Sequence, residues 1–180
     1  MTPKMTPKIT DNTVMLARLI TVFILYAAAI AGATATERVP ALQDQYGNHG
    51  ELNDFSGKAV LVIVASTRKM VWIGRWEEAI RAELPGLVSL RVADVSDQPP
   101  PSYMDVANIL RKKAPKDVSV LIDMQNLWAK NYDLDTSEPC LMLLDPDHNV
   151  IAKFRGRPKG DLVDEVMNAL RDYFPATTQS

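Results

Sequence analysis

Gly57-Lys58-Ala59-Val60-Leu61-Val62-Ile63-Val64-Ala65-Ser66-Thr67-Arg68-Lys69-Met70-Val71-Trp72 is the stretch on which the fold turns. Ala59 to Ala65 is an unbroken apolar run rich in β-branched residues, the pattern of a strand covered on both faces. Past Met70 the period changes. Ile73, Trp76, Ile80 and Leu84 recur at helical spacing while Glu77, Glu78 and Arg81 fall on the other side, which predicts an amphipathic helix over Val71 to Leu84. Pro85-Gly86 ends it. A buried strand feeding directly into an amphipathic helix is the unit of a layered α/β domain.

The rest of the chain continues that unit. Val39 to Gly57 reads as a short N-terminal β-region around the turn-rich Gln45-Tyr46-Gly47-Asn48-His49-Gly50. Leu87 to Val95 alternates as a second strand, and Pro99-Pro100-Pro101 stiffens the loop after it. Tyr103 to Lys113 is a second helix, Val118 to Ile122 a third strand, and Asp123 to Tyr132 holds a short helix. Cys140 to Leu144 and Val150 to Phe154 form a hairpin across Asp145-Pro146-Asp147-His148-Asn149, and Lys159 to Tyr173 is the closing helix. This alternation predicts an α/β fold, a central mixed β-sheet flanked by helices, with an N-terminal β-extension.

The 180 residues carry a net charge of −2 with 23% charged residues. No basic footprint for nucleic acid is present, since Arg111-Lys112-Lys113 is explained as the cationic end of a helix. Lys4, Lys8 and Arg18 precede the apolar run Leu19 to Ala31, and Ala33-Thr34-Ala35 offers a small-x-small cleavage site. That layout is a secretory signal peptide over residues 1–35, leaving a domain over 36–180 that is periplasmic or secreted. An uncleaved anchor is the alternative, although the run is shorter than the roughly 20 residues a spanning helix needs. Translation starting at Met15 would still make a complete signal. Removing Lys4, Lys8, Arg18 and Asp11 with the leader takes the charge from −2 to −4. Cys140 is the one cysteine of the chain, so no internal disulfide forms.

With these pieces in order, Gly57-Lys58 at the strand start, Pro139 before the next apolar strand, Leu144-Asp145-x-Asp147 in the hairpin, Gly156 after the last strand and a terminal amphipathic helix, the chain resembles the thioredoxin-like superfamily. The closest pattern is its exported branch of TlpA/ResA-type and peroxiredoxin-like proteins. The YtfJ-type periplasmic proteins, which share the scaffold and lack the thiol pair, are a looser comparison. Aligned on Gly57-Lys58, the family's two redox cysteines fall at Lys69 and Trp72. Aligned on Thr67 as a peroxiredoxin Thr-x-x-Cys, the peroxidatic position falls at Met70. A thioether forms no thiolate and performs no disulfide exchange. The resemblance matches Pro139 to the family's cis-proline beside the active-site helix, with Glu138 next to it.

These residues frame two expectations. The first is a redox-inactive, non-enzymatic accessory or assembly factor, binding another periplasmic or membrane-associated protein through Lys69, Met70, Trp72, Glu138 and Pro139. The second is a thiol-dependent oxidoreductase or redox sensor using Cys140, with its thiolate stabilised by a nearby helix N-terminus. Otherwise Cys140 is a small apolar residue opening a buried strand. His49 and His148 both lie in predicted turns, and Asp145, Asp147 and His148 read as turn chemistry rather than a metal site. No cofactor motif is present. Gly156-Arg157-Pro158-Lys159 reads as a structural connection.

Overall fold

β3 (Val60–Ser66) has six of its seven residues buried, which is what its unbroken apolar run requires. In this computed structural model, which describes residues 39–95 and 99–174, β3 is an interior strand of a seven-stranded sheet. The signal peptide, its cleavage point and the choice of start codon lie outside the described residues. β1 (Leu42–Asp44) and β2 (His49–Gly50) form the N-terminal hairpin, and β4 (Val88–Asp94) and β5 (Leu121–Asp123) continue the sheet. β6 (Cys140–Leu144) and β7 (Val150–Arg155) form the C-terminal hairpin. The strand order is β2-β1-β5-β4-β3-β6-β7. β3 runs parallel to β4, and β4 to β5. β1 meets β5 antiparallel, and β6 meets both β3 and β7 antiparallel. The expected α/β class, mixed sheet and β-extension are all present.

The alternation of side chains along β3 sorts the core into two faces. Leu61, Ile63 and Ala65 point to one face, where they meet Ile73, Trp76 and Ile80 of α1 (Val71–Glu83) and Val166, Met167 and Leu170 of α4 (Asp161–Tyr173). α2 (Tyr103–Lys113) covers a neighbouring cluster of Ala93, Val95, Val120 and Ile122 through Val106, Ala107 and Leu110. Val60, Val62 and Val64 point to the other face, against Trp128 and Tyr132 of α3 (Leu127–Tyr132) and Leu42 of β1. Trp128 and Tyr132 stack with ring centroids 5.2 Å apart.

Three local features differ from the sequence expectation. Leu52–Phe55 and Thr67–Lys69 are single 3-10 turns. The third strand begins at Leu121 rather than Val118. The reason is Gln45, fully buried, whose side-chain amide donates to Val118 O at 2.6 Å and accepts from Val120 N at 2.8 Å. A side chain takes the place of a strand partner there. His49, expected in a turn, is in β2, whereas His148 is in a turn at φ 66°.

Candidate functional site

The C-terminal end of β3 delivers the Thr67–Lys69 turn and then α1. Beside it, Cys140 opens β6 opposite Val64, and Gly156 N donates to Pro139 O at 2.8 Å. The start of β6, the end of β7 and the N-terminus of α1 thus converge at one end of the sheet. Trp76 braces this corner from below, its indole N–H donating to Gly156 O at 2.9 Å.

Glu138 is the centre of the polar cluster at that corner. Lys69 Nζ donates to Glu138 Oε1 at 3.1 Å. Arg157 donates through Nε to Oε2 and through Nη2 to Oε1, both at 3.0 Å, a bidentate pairing. The Arg157 bonds first, and Lys69 second, hold the Glu138 carboxyl far below the usual range, at about 2. The Trp72 ring lies 4.7 Å from the Arg75 guanidinium and 5.1 Å from that of Arg157, both within cation–π range. Lys69, Trp72 and Glu138 therefore share one surface, tied together by Arg157. Pro139 lies beneath it, buried. Met70 goes elsewhere. It is half-buried and packs against both the α1/α4 cluster and the α2 cluster.

Arg157 and Arg75 are members of this cluster that the sequence reading passed over. Arg157 falls inside the connection read as structural. What brings it to Glu138 is the Gly156–Pro139 contact, a tertiary pairing with no local signature.

Cys140 is 3% exposed and its side chain belongs to the face opposite α1, with Val64, Met142 and Leu144. The expected stabilisation of its thiolate by the α1 N-terminus is corrected accordingly: on β6 it is Leu141 and Leu143 that point toward the helix. The Cys140 thiol instead lies 3.3 Å from Asp135 O and 3.6 Å from Glu138 O. Burial pushes its pKa up to about 11, with Asp135 and Asp94 adding to the rise and Arg155 and Lys153 opposing it. At neutral pH the resting group is a thiol. The segment above it is pinned by Arg155, which donates to Asp135 O at 3.0 Å and to Ser137 Oγ at 2.6 Å. Beneath, Thr136 donates to the fully buried Asp94. With its amide oriented to donate, Asn126 also reaches Asp94 Oδ1 at 2.6 Å.

No family model matches the chain, and no curated protein matches it. Solved structures do. The pneumococcal exposed lipoprotein thioredoxin of Streptococcus pneumoniae superposes with a TM-score of 0.60 at 18% identity, over 74% of this chain and 98% of that one. A secreted Mycobacterium tuberculosis disulfide oxidoreductase gives 0.55 at 11% identity, over 78% and 99%. A thiol peroxidase from Chromobacterium violaceum gives 0.55 at 15%, over 77% and 86%. The chain has the thioredoxin-like fold. This corrects the expectation of a redox-inactive protein with enzymatic activity the less favoured reading. The scaffold carries thiol oxidoreductases and a peroxidase among its solved examples, so the missing Cys-x-x-Cys excludes only an intramolecular dithiol step.

Proposed function

We propose that this chain is an exported, single-thiol redox protein, an oxidoreductase or redox sensor that works through Cys140. The observation that carries the reading is the position of its one thiol. Cys140 lies directly under the Asp135–Pro139 segment, its thiol within donating distance of two of that segment's carbonyls, and the same segment presents Glu138 to Lys69 and to Arg157, which also lies over Trp72. Binding at the Glu138 surface and exposure of the thiol are thereby coupled through five residues of chain.

The chemistry follows from burial. In the resting state the protonated, covered thiol is inert, because the thiolate is the nucleophile. Displacement of Asp135–Pro139 by a partner exposes the sulfur to water and removes the burial that raises its pKa. Cys140 then loses its proton and its sulfur attacks a disulfide of the partner. A new S–S bond forms to Cys140, the partner's S–S bond breaks, and the departing sulfur leaves as a thiolate that takes up a proton. Resolution requires a second thiol from outside the chain. The N-terminal leader read over residues 1–35 supports an oxidising compartment for such exchange.

Alkylation of Cys140 with iodoacetamide across pH, beside incubation with oxidised glutathione and intact-mass detection, tests this. The expected result is slow modification of the folded protein, accelerated by Glu138→Ala or Arg155→Ala, with a single glutathione adduct absent from Cys140→Ser. Modification no faster than global unfolding, in wild type and both loosened variants, overturns the redox reading.

A further inference from the structure

A cleft of about 970 Å³ opens between α1 and α2, on the sheet face away from Cys140. This is at the upper end of the size of small-molecule sites. Its apolar walls come from Met70 and Ile73 on one side and Leu110, Val118 and Val120 on the other. At its base lies Arg91 of β4, on the same sheet face as Ile63, its partner in register.

Arg91 is the unusual feature. Its side chain is 13% exposed, and among the described residues its guanidinium engages one group, the Glu77 carboxylate, through Nε. Glu77 is held in turn by Ser89 Oγ, which donates to it at 2.8 Å. A guanidinium carries five donors in a fixed fork, so Arg91 retains donors for a second anion while Glu77 and Ser89 fix its position. The mouth carries Arg81 and Lys113, both exposed, with Glu78 and Asp117. An apolar chamber with a positioned guanidinium at its base is complementary to a small molecule with an apolar body and one carboxylate.

The geometry points to this cleft as a binding site for a monocarboxylate with an aliphatic tail, the carboxylate on Arg91 and the tail along Met70, Ile73, Leu110 and Val118. The site is independent of the thiol chemistry, which uses the opposite face of the sheet.

Calorimetric titration of the purified chain with octanoate, with octan-1-ol as control, is the test. The expected result is saturable binding of one octanoate per chain, with octan-1-ol at least about tenfold weaker, the scale of one lost charge-assisted contact. Arg91→Gln should weaken octanoate binding by a similar factor. Glu77→Gln should tighten it, because it frees the guanidinium from its internal carboxylate. Lys113→Glu, at an exposed position that leaves folding intact, should weaken it severalfold. A purely structural Arg91–Glu77 pair would move both variants in the same direction. That outcome, equal binding of the alcohol, absence of saturation by octanoate, or a dimer that covers the cleft and is indifferent to octanoate, overturns the inference.

Discussion

At the scale of single residues, Glu138 gives the sharpest expectation. Its carboxyl titrates at about 2 against an ordinary 4.5, chiefly through the Arg157 bonds and then Lys69. A carboxyl lowered on folding adds stability that is fully present above its ordinary pKa and is lost as pH falls through the folded value. The window is therefore pH 4.5 down to 2. Asp44, Asp135 and Asp145 are also lowered and contribute their own acid sensitivity, so the informative quantity is the difference between two proteins. The urea midpoint of wild type should fall more steeply than that of Glu138→Gln between pH 5 and 2. Parallel curves would mean that these surface pairs contribute nothing, a common outcome for isolated exposed pairs. Lys69 and Glu138 could be assigned to one surface from sequence because the resemblance brings Pro139 beside the helix start. Arg157 could not, because standing directly after a glycine says nothing about which strand that glycine faces. The direction of the Cys140 side chain depended on register. Moving one residue along β6 exchanges the helix face for the α3 face.

Elements were legible in proportion to how locally they are determined. β3 and α1 follow from composition and period alone, and their observed limits differ by a residue or so from the expected ones. α2 is capped in the structure by Ser102, whose hydroxyl accepts from Asp105 N at 3.2 Å while the Asp105 carboxylate accepts from Ser102 N, a reciprocal cap. Ser102→Ala should cost about 1 kcal/mol in chemical denaturation, and a loss below a few tenths would show that α2 is held by its packing alone. β3 and β7 make a second comparison. Ile63 is fully buried, whereas Ile151 is 40% exposed on the sheet edge. Ile63→Ala should cost roughly 2–5 kcal/mol, and Ile151→Ala within about 1 kcal/mol. Similar losses at both positions would mean that the outer face of β7 is covered in the native protein. β5 resisted sequence reading for a different reason. Val118 to Ile122 has strand composition throughout, yet Val118 and Val120 are held by a glutamine more than seventy positions upstream.

For the molecule as a whole, the alternation of elements dictated an α/β sheet, while the strand order depended on long-range pairings that no window of sequence contains. The N-terminal hairpin shows how such a pairing is secured. β1 adds to β5 by a short antiparallel register, Gln43 to Ile122 and Asp44 to Leu121, which is too little ladder to hold an edge by itself. Side chains complete it. Arg111 Nε donates to Gln45 O at 2.6 Å, Tyr46 OH donates to Lys116 O at 2.9 Å, and Ser119 Oγ donates to Asp44 Oδ2 at 2.8 Å. Gln45 itself fills the ladder position ahead of β5. Removing its amide leaves the buried Val120 N and the half-buried Val118 O short of partners, a cost of about 1–3 kcal/mol for the buried group and less for the half-buried one. Gln45→Ala should therefore cost about 2–4 kcal/mol, more than an ordinary single hydrogen bond. Hydrogen exchange separates this from a uniform loss of stability. The Val120 amide should lose protection by a larger factor than the amides of β3 and β6, because the hairpin and β5 open together while the central strands stay paired. Equal loss of protection throughout would show that the hairpin belongs to the same cooperative unit as β3. No loss at Val120 would show that water replaces the glutamine there and that the β-extension is held by its other contacts.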